Sequence, residues 1–292
     1  MSKEKPLVSI CIPTFNGERF INEAMDSAIS QSYSNLEIVV SDDASTDRTL
    51  IILEGFKEKT TIPIYIYKHQ PSGIGANWNH CVQKANGSYI KFLFQDDVLL
   101  PSCIEQMMAV AGFNPRVGLV YSKRGFIYSE LTPKITSFIE YYRELHRYWE
   151  SVGVKEGVLK GTDYLKDRQL LSSPKNKIGE PTNVLLKTDC FKTIGYFNET
   201  LKQGLDHEYW YRVMTKYNIG FVNKPLAKFR LHNNQASHVN KSGGLNETDV
   251  IYKSYYINLF RYLHSKNKWK LLKLYHPILS KLVKLKQNYA GG

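Results

Sequence analysis

The chain has 292 residues, of which 42% are hydrophobic and 23% are charged, so it can form one large domain or a domain with a smaller extension. It contains no run of eighteen apolar residues, which argues against a transmembrane helix, and its first residues lack the apolar segment of a signal peptide. The net charge of +12 is uneven, because no Asp or Glu follows Asp249 whereas nine Lys and Arg residues do.

The cysteines provide a second compositional argument. The four of them are scattered without a C-x-x-C pair, at Cys11, Cys81, Cys103 and Cys190. This spacing indicates neither a zinc site nor a disulfide framework. We therefore expect small buried thiols in a reducing compartment, and so a cytoplasmic protein.

Short apolar segments alternate with segments of helical spacing through the first part of the chain. Strands are predicted at residues 7–12, 36–40, 62–67, 89–94 and 117–121. Between them, apolar residues recur every three or four positions, which is typical of helices packed on one face. Strands that alternate with helices predict an α/β fold with a doubly wound, mainly parallel sheet flanked by helices.

The later part of the chain departs from this alternation. Residues 123–178 are rich in Tyr and in charged residues and are the expected variable, substrate-facing segment. Ordered structure resumes at 179–186, an aromatic helix begins near Asp206, and a last strand is predicted at 219–222. Two helical stretches follow from Val250, the second of them with an expected kink at Pro277.

Polar residues follow three of the predicted strands: Pro13-Thr14, Asp42-Asp43 and Asp96-Asp97. The carboxyl ends of parallel strands open on a common crevice above the sheet. Carboxylates in such a crevice can accept hydrogen bonds from a base and a ribose, or hold Mg2+ or Mn2+ against a diphosphate. Alternatively, Asp97 caps the next helix and Asp96 is solvated.

Five sequence blocks occur in an order and with spacings typical of one enzyme family: PTFNGERFI, VVSDDASTD, ANGSYIKFLFQDD, GLDHEYWYRV and FRLHNNQAS. From about Leu7 to Ser237, the sequence resembles the inverting nucleotide-sugar glycosyltransferases of family 2, which have the GT-A fold. The resemblance implies a UDP- or dTDP-sugar donor, a Mn2+ or Mg2+ cofactor, and a saccharide or lipid-linked saccharide acceptor. It also implies a role in bacterial surface polysaccharide synthesis, such as that of O-antigen.

The resemblance assigns eight residues to the nucleotide pocket. They are Pro13, Thr14, Asn16, Asp42, Asp43, Asn79, Gln95 and Asp96. Asp43 would hydrogen-bond the base, usually uracil, and Asp96 would bind the metal together with His232. Phe94 replaces the first Asp of the family's D-x-D-D block, an acid that often contacts the ribose.

Asp206 matches the catalytic Asp of the family's E-D block, although Leu205 replaces the usual Glu. The implied role of Asp206 is that of general base, which removes a proton from the acceptor hydroxyl as it attacks the anomeric carbon. The residues assigned to the acceptor are Thr182, His207 and Glu208. Without the other blocks, Asp206 would be interpreted as a helix N-cap and His232 as a packed or surface imidazole.

These assignments divide the chain into a GT-A domain at residues 1–240 and a basic helical extension at 241–292. The domain consists of a nucleotide-binding half at 1–122 and an acceptor-binding half at 123–240. The extension carries lysines around an apolar stripe, which fits a solvated helix pair packed on the body. It also fits attraction to an anionic membrane surface, which would place the protein peripherally on the cytoplasmic face of the inner membrane.

Three other functions are alternatives to glycosyl transfer. Nucleic-acid binding is not expected, because a recognition motif and aromatic residues interleaved with Arg are missing. A sugar nucleotidyltransferase would need a glycine-rich loop with a basic residue after the first strand, where Pro13-Thr14-Phe15-Asn16 stands. A catalytically weak or inactive sugar-nucleotide-binding, membrane-docking protein is a third alternative, for which Phe94 and Leu205 are the arguments.

Overall fold

The computed structural model describes residues 4–232 and 244–290, and nine strands within them form one sheet. The strands are β1 Val8–Thr14, β2 Leu36–Asp42, β3 Ile64–Lys68, β4 Tyr89–Phe92, β5 Val98–Leu99, β6 Val117–Ile127, β7 Gly157–Lys160, β8 Val184–Lys187 and β9 Asn218–Arg230. Their order in the sheet is β3-β2-β1-β4-β8-β6-β9-β5, and β7 pairs with β9. The end of the last block of the family resemblance, residues 233–237, and the predicted boundary after residue 240 lie outside the described residues.

Strands β3, β2, β1 and β4 form the parallel half of the sheet that the alternation of strands and helices predicts. Thr14 at the end of β1 pairs with Asp42 at the end of β2, so the two turns that follow lie side by side. Strand β8 is antiparallel to both β4 and β6, which the sequence does not reveal. A short, buried apolar strand has the same pattern in either direction.

Helices cover both faces of the sheet. They are α1 Ile21–Ile29, α2 Thr49–Phe56, α3 Ile74–Lys84, α4 Cys103–Phe113, α5 Pro133–Tyr142, α6 Gly161–Leu165, α7 Asp189–Ile194, α8 Leu205–Val213, α9 Thr248–Asn258, α10 Ser265–Tyr275 and α11 Pro277–Ala290. Residues of β1 alternate between the faces: Val8 and Ile10 pack with α1, α2 and α4, whereas Cys11 packs with α3. The predicted α/β fold with helices on both faces of the sheet is confirmed.

The carboxyl-terminal helices pack on the same face as α3 and α8. Ile251, Tyr255, Leu259 and Leu271 are buried there in one apolar cluster with the aromatic residues of α8. A kink was predicted at Pro277, but this residue instead begins α11. At the first position of a helix, the N–H that proline lacks would have no intrahelical partner. None of the helices within the described residues has the length and hydropathy needed to cross a membrane.

Candidate active site

One large cleft, with a volume of about 1150 Å³, is lined by the turns after β1, β2 and β4 and by the start of α8. A volume of this order is enough for a nucleotide sugar, because small-molecule pockets commonly measure about 300–1,000 Å³. The predicted site residues that line the cleft are Pro13, Thr14, Asn16, Asp43, Gln95, Asp96, Asp206, His207 and His232. Residues from both predicted halves and from the start of α9 therefore contribute to a single site.

The turns after β1 and β2 are held together by hydrogen bonds. Asn16 has a φ of 47°, a left-handed conformation that Asn tolerates, and its Oδ1 accepts from the backbone N–H of Thr46 at 2.8 Å. Its own N–H donates to Ser45 Oγ at 2.9 Å. The Thr14 hydroxyl donates to Asp42 Oδ1 at 3.1 Å. Asp42 is therefore a fully buried brace between the strands and does not line the cleft, in contrast to its predicted role.

Asp43 lines the cleft beside the end of β1 and has a partner that sequence reasoning missed. Nδ1 of His69, just after β3, is 2.7 Å from Asp43 Oδ1. The His69 ring lies 4.9 Å from that of His80, whose Nδ1 is 2.7 Å from Ser41 Oγ. Burial lowers the pKa of His80, and His69 and Lys84 lower it further, which favours a neutral ring. The contact with His69 thus fixes the orientation of the Asp43 carboxylate.

The segment after β4 forms the floor of the cleft. Gln95 makes a reciprocal pair with the backbone of Phe15, in which Nε2 donates to the carbonyl at 3.0 Å and Oε1 accepts from the N–H at 2.9 Å. Phe94 packs against Trp78, with ring centroids 5.0 Å apart. Both rings line the cleft, so an apolar surface stands where the family has its first acid.

Asp96 and His232 are the predicted metal ligands, and their side chains meet in the cleft. His232 Nε2 is 2.9 Å from Asp96 Oδ2. The described residues contain no cluster of three or more His, Cys, Asp or Glu suited to a metal ion. A carboxylate facing a cleft still fits Mg2+ or Mn2+, because such ions use one or two protein carboxylates and take their other ligands from phosphate and water. The pair therefore fits a metal that a diphosphate completes.

Asp97, next in the chain, has a structural position. It is fully buried, and its Oδ1 accepts a hydrogen bond from the backbone N–H of Arg230 at 3.0 Å. Burial, together with the neighbouring Asp96, raises the pKa of Asp97 well above its usual range. The alternative in which Asp97 caps the following helix does not hold, because α4 begins six residues later, at Cys103. Asp97 joins the β4 edge of the site to β9.

Asp206 is the second residue of α8, and both of its carboxylate oxygens are held. Oδ1 accepts from the backbone N–H of His207 at 2.6 Å and lies 3.2 Å from Nδ1 of the same residue. Oδ2 accepts from Nδ2 of Asn176 at 2.7 Å. A negative charge in the first turn of a helix is stabilised by the helix dipole. The carboxylate is thus oriented and open to the cleft.

The start of α8 is completed by the carboxyl-terminal extension. The Glu247 carboxylate accepts hydrogen bonds from the backbone N–H groups of Gln203 and Gly204, each at 3.0 Å, and from that of Lys202. The first N–H groups of a helix have no intrahelical acceptor, so a carboxylate there satisfies donors and favourably meets the dipole. Glu247 lines the same cleft as Asp206.

Asn176 was not predicted, because it lies in a segment without a recognisable pattern. Besides Asp206, it binds its own loop: Oδ1 accepts from the N–H groups of Ile178 at 3.0 Å and Gly179 at 2.9 Å. The Gly179 carbonyl in turn accepts from Trp210 Nε1 at 3.0 Å. The amide of Asn176 therefore cannot rotate without breaking several hydrogen bonds, and it presents a fixed donor to Asp206.

A largely buried ion pair in the cleft was also missed. Arg124 of β6 pairs with Glu180, and both residues line the cleft. Burial lowers the pKa of the Arg124 guanidinium to about 10, so it is charged at neutral pH. A single Arg in an apolar strand carries no local signal of such a role, and its partner lies in a distant turn.

Three more predicted site residues do not line the cleft. The Asn79 side chain bonds the backbone N–H and carbonyl of Phe197, both at 3.0 Å. Thr182 is buried and accepts from the backbone N–H of Phe94 at 3.1 Å. Glu208 is buried and pairs with Arg212 at 2.8 Å. Buried polar groups require such partners, so these residues support the site from within, in contrast to the predicted contacts with nucleotide and acceptor.

Comparison with known proteins decides the family. The model of glycosyl transferase family 2 matches residues 9–193. The chain belongs to glycosyl transferase family 2. Its relatives include an uncharacterized glycosyltransferase of Rickettsia typhi, which is 30% identical over 234 residues, 80% of this chain and 66% of the relative. An uncharacterized protein of Mycobacterium tuberculosis is 27% identical over 224 residues, 76% of this chain and 66% of that protein.

The family 2 chain spans about two thirds or less of the length of the first curated relatives, down to 31% of one from Rickettsia bellii. Among solved structures, S. aureus TarS 1–349 in complex with UDP-GlcNAc is similar, with a TM-score of 0.65 and 20% identity over 91% of this chain and 70% of that one. The mannosyltransferase PcManGT from Pyrobaculum calidifontis, in complex with GDP-Man and Mn2+, gives a TM-score of 0.57 at 14% identity, covering 99% and 82%. These likenesses confirm the predicted GT-A fold.

Proposed function

We propose that this chain is an inverting glycosyltransferase that moves a sugar from a UDP- or dTDP-sugar to a saccharide or lipid-linked saccharide in bacterial surface polysaccharide synthesis. The observation that carries the proposal is that Asp43, Asp96 and Asp206, far apart in sequence, line one cleft. The structural likeness to a protein solved with UDP-GlcNAc supports a UDP-sugar as the donor.

The donor would lie along the strand ends. Asp43, held by His69, would accept a hydrogen bond from the base, while the turn from Pro13 to Gly17 borders the nucleotide. The diphosphate would lie beside Asp96 and His232. Mn2+ or Mg2+ bound there would neutralise charge on the diphosphate as it leaves, a use that the neighbour solved with Mn2+ supports.

Asp206 would act on the acceptor. The N–H of His207 and the Asn176 amide orient its two oxygens, so the carboxylate can take the proton of a hydroxyl that attacks the anomeric carbon. Attack on the face opposite the departing diphosphate inverts the anomeric configuration. Arg124 and Glu180 lie on this side, where their charged groups would border the acceptor.

The test is Asp206→Asn, which keeps the size of the side chain and removes the base. We expect transfer to fall by about 10²–10⁴-fold, while the Kd for UDP, measured by calorimetry, stays nearly unchanged. The matched control is Asp26→Asn, at an exposed position of α1, which should keep wild-type transfer. Wild-type transfer by Asp206→Asn would refute the assignment of the base.

The same assay distinguishes the alternative of an inactive binding protein. An active transferase slowly releases UDP or dTDP from a suitable nucleotide sugar when Mn2+ is present, even without acceptor. Nucleotide binding without any such release, across a panel of UDP- and dTDP-sugars, would favour the inactive protein for which Phe94 and Leu205 argue.

A further inference from the structure

The exposed face of α10, together with the first turns of α11, combines large apolar side chains with lysines. Four apolar residues are about half or more exposed: Trp269 at 53%, Leu274 at 48%, Ile278 at 65% and Leu282 at 55%. The exposed lysines among them are Lys266, Lys270, Lys273 and Lys281. We call these eight residues the basic stripe. Their three- and four-residue spacing places those of α10 on one side of the helix, opposite the buried Leu271.

Within residues 4–232 and 244–290, no acidic side chain neutralises the charge of the basic stripe. No Asp or Glu follows Asp249 in the sequence. The ion pairs among the described residues do not involve any of the four lysines. Lys273 Nζ instead lies 5.5 Å from the ring centroid of Trp269. A surface that is cationic and apolar at once fits a partner that is anionic and apolar at once.

The stripe lies beside the acceptor side of the cleft. The Tyr275 hydroxyl, at the end of α10, is 3.0 Å from the Asp249 carbonyl oxygen and 2.9 Å from its Oδ1. The preceding residue, Thr248, lines the cleft and accepts from Nζ of Lys175, which also lines it, at 2.7 Å. The helix that carries most of the stripe is therefore fastened to the rim that Glu247 and Asp206 share.

We propose that the basic stripe binds an anionic lipid surface and thereby presents the Asp206 side of the cleft to an acceptor anchored in that surface. This rests on the proposed function for its acceptor, whereas the lipid contact stands on the stripe alone. Lysines meet acidic headgroups while Trp269, Ile278 and Leu282 enter the interface, which is how amphipathic helices lie on a membrane.

Two other occupants fit the stripe less well. A second copy of the chain, docked about a two-fold axis, would bring identical lysine-rich surfaces together, which like charges oppose. A nucleic acid would meet the lysines, but the stripe offers one aromatic ring, Trp269, and no Arg for stacking on bases. The experiment must therefore be able to detect dimerisation and nucleic-acid binding as well as lipid binding.

The experiment uses the whole chain and vesicles of pure phosphatidylcholine or of phosphatidylcholine mixed with phosphatidylglycerol. We expect the wild type to sediment with the mixed vesicles and to be released by high salt. Each lysine near an anionic surface contributes about fivefold to partitioning, so K266Q/K273Q/K281Q should weaken binding by about a hundredfold. The matched control, K155Q/K160Q/K224Q, removes the same charge from exposed positions on the body and should bind like the wild type.

A second pair of variants tests the apolar half of the stripe. I278S/L282S should also lose vesicle binding, whereas I51S, at an equally exposed apolar position of α2, should not. All variants should release nucleotide from soluble donor at the wild-type rate, because the stripe does not line the cleft. If no variant, including the wild type, releases nucleotide, the proposed function fails while vesicle binding still tests the lipid contact.

The orientation can be measured with a fluorescent label, because the native cysteines are all buried. A label on L245C, a position that lines the cleft, should report an apolar environment when anionic vesicles are added. A label on K68C, in β3 at the opposite edge of the sheet, should not. A reversed result overturns the orientation. The lipid contact is overturned if the stripe variant and its control bind vesicles equally. It is also overturned if the chain binds single-stranded RNA, or dimerises with increasing concentration, and does not bind vesicles.

Discussion

The Asn176→Asp variant gives the most specific test of how Asp206 is held. In the wild type, Nδ2 of Asn176 is 2.7 Å from Asp206 Oδ2, and the substitution replaces that donor with a carboxylate oxygen. The other oxygen can still accept from the N–H groups of Ile178 and Gly179, whereas the hydrogen bond that Nδ2 donates to the Gly179 carbonyl at 2.9 Å is lost. Two carboxylates in contact cannot both ionise easily, and one of them retains a proton.

The size of the effect follows from the separation of the two groups. Unit charges about 4 Å apart repel by about 4 kcal/mol at an effective dielectric constant of about 20, equivalent to about 3 pH units. The Asp206 side chain is 15% exposed, and solvent screens part of this repulsion. We expect the acid limb of the pH dependence of kcat/KM to move upward by about 1–2 pH units.

The assay measures transfer across the pH range in which the folded protein is stable. Asn176→Ala serves as the companion variant, because it removes the hydrogen bond to Asp206, together with those of the amide to its own loop, without adding a charge. It should lower kcat and leave the position of the acid limb nearly unchanged. An unchanged acid limb in Asn176→Asp, with UDP affinity and thermal stability near wild type, would refute Asp206 as the base that limits the rate at low pH.

Four further measurements test the rest of the site. His69→Ala removes the partner of Asp43 and should weaken UDP binding about tenfold, because hydrogen bonds to charged groups contribute about 1.5–3 kcal/mol. A UDP Kd equal to that of the wild type would contradict a role for His69 in orienting Asp43. Glu247→Ala should lower the free energy of unfolding by about 1.5–3 kcal/mol in urea titrations, because three backbone N–H groups just before α8 lose their carboxylate acceptor. Chelation of divalent ions should abolish transfer, and Asp96→Asn should raise the Mn2+ concentration needed for half-maximal rate; transfer that persists after chelation would exclude the metal. Burial lowers the pKa of Lys177 to about 8, so the folded state binds fewer protons than the unfolded state between about pH 8 and the ordinary Lys pKa near 10.5. The stability of the wild type relative to Lys177→Met should therefore rise with pH across that window. A stability difference that does not change with pH would contradict this.

The sequence was sufficient for the parallel half of the sheet because burial on two faces leaves continuous apolar runs, as at β1 and β2. It also located Asp43 and Asp96 on one cleft, because both follow strand ends, whereas Asp206 was assigned through the family resemblance. It could not show Asn176 and His69, which lie in connecting segments and act only through neighbours distant in the chain.

Other predicted site residues do not line the cleft, and the reason is different. Asn79 and Thr182 occupy motif positions, but a motif fixes a place along the chain and not the direction in which a side chain points. In the folded chain their polar atoms meet the backbone of Phe197 and Phe94. Which face a polar residue takes depends on where unpaired backbone groups lie after folding, and this is a property of the tertiary structure.

The hydrogen bonds between Glu247 and the residues just before α8 have a consequence for folding during translation. Gly204 and Glu247 are 43 residues apart, so the helix that carries Asp206 is synthesised well before the acid that contacts its amino-terminal end. Domains commonly begin to fold while translation continues. A nascent chain that stops short of Glu247 therefore lacks this acceptor ahead of α8, and the proposed orientation of Asp206 should be complete only late in synthesis.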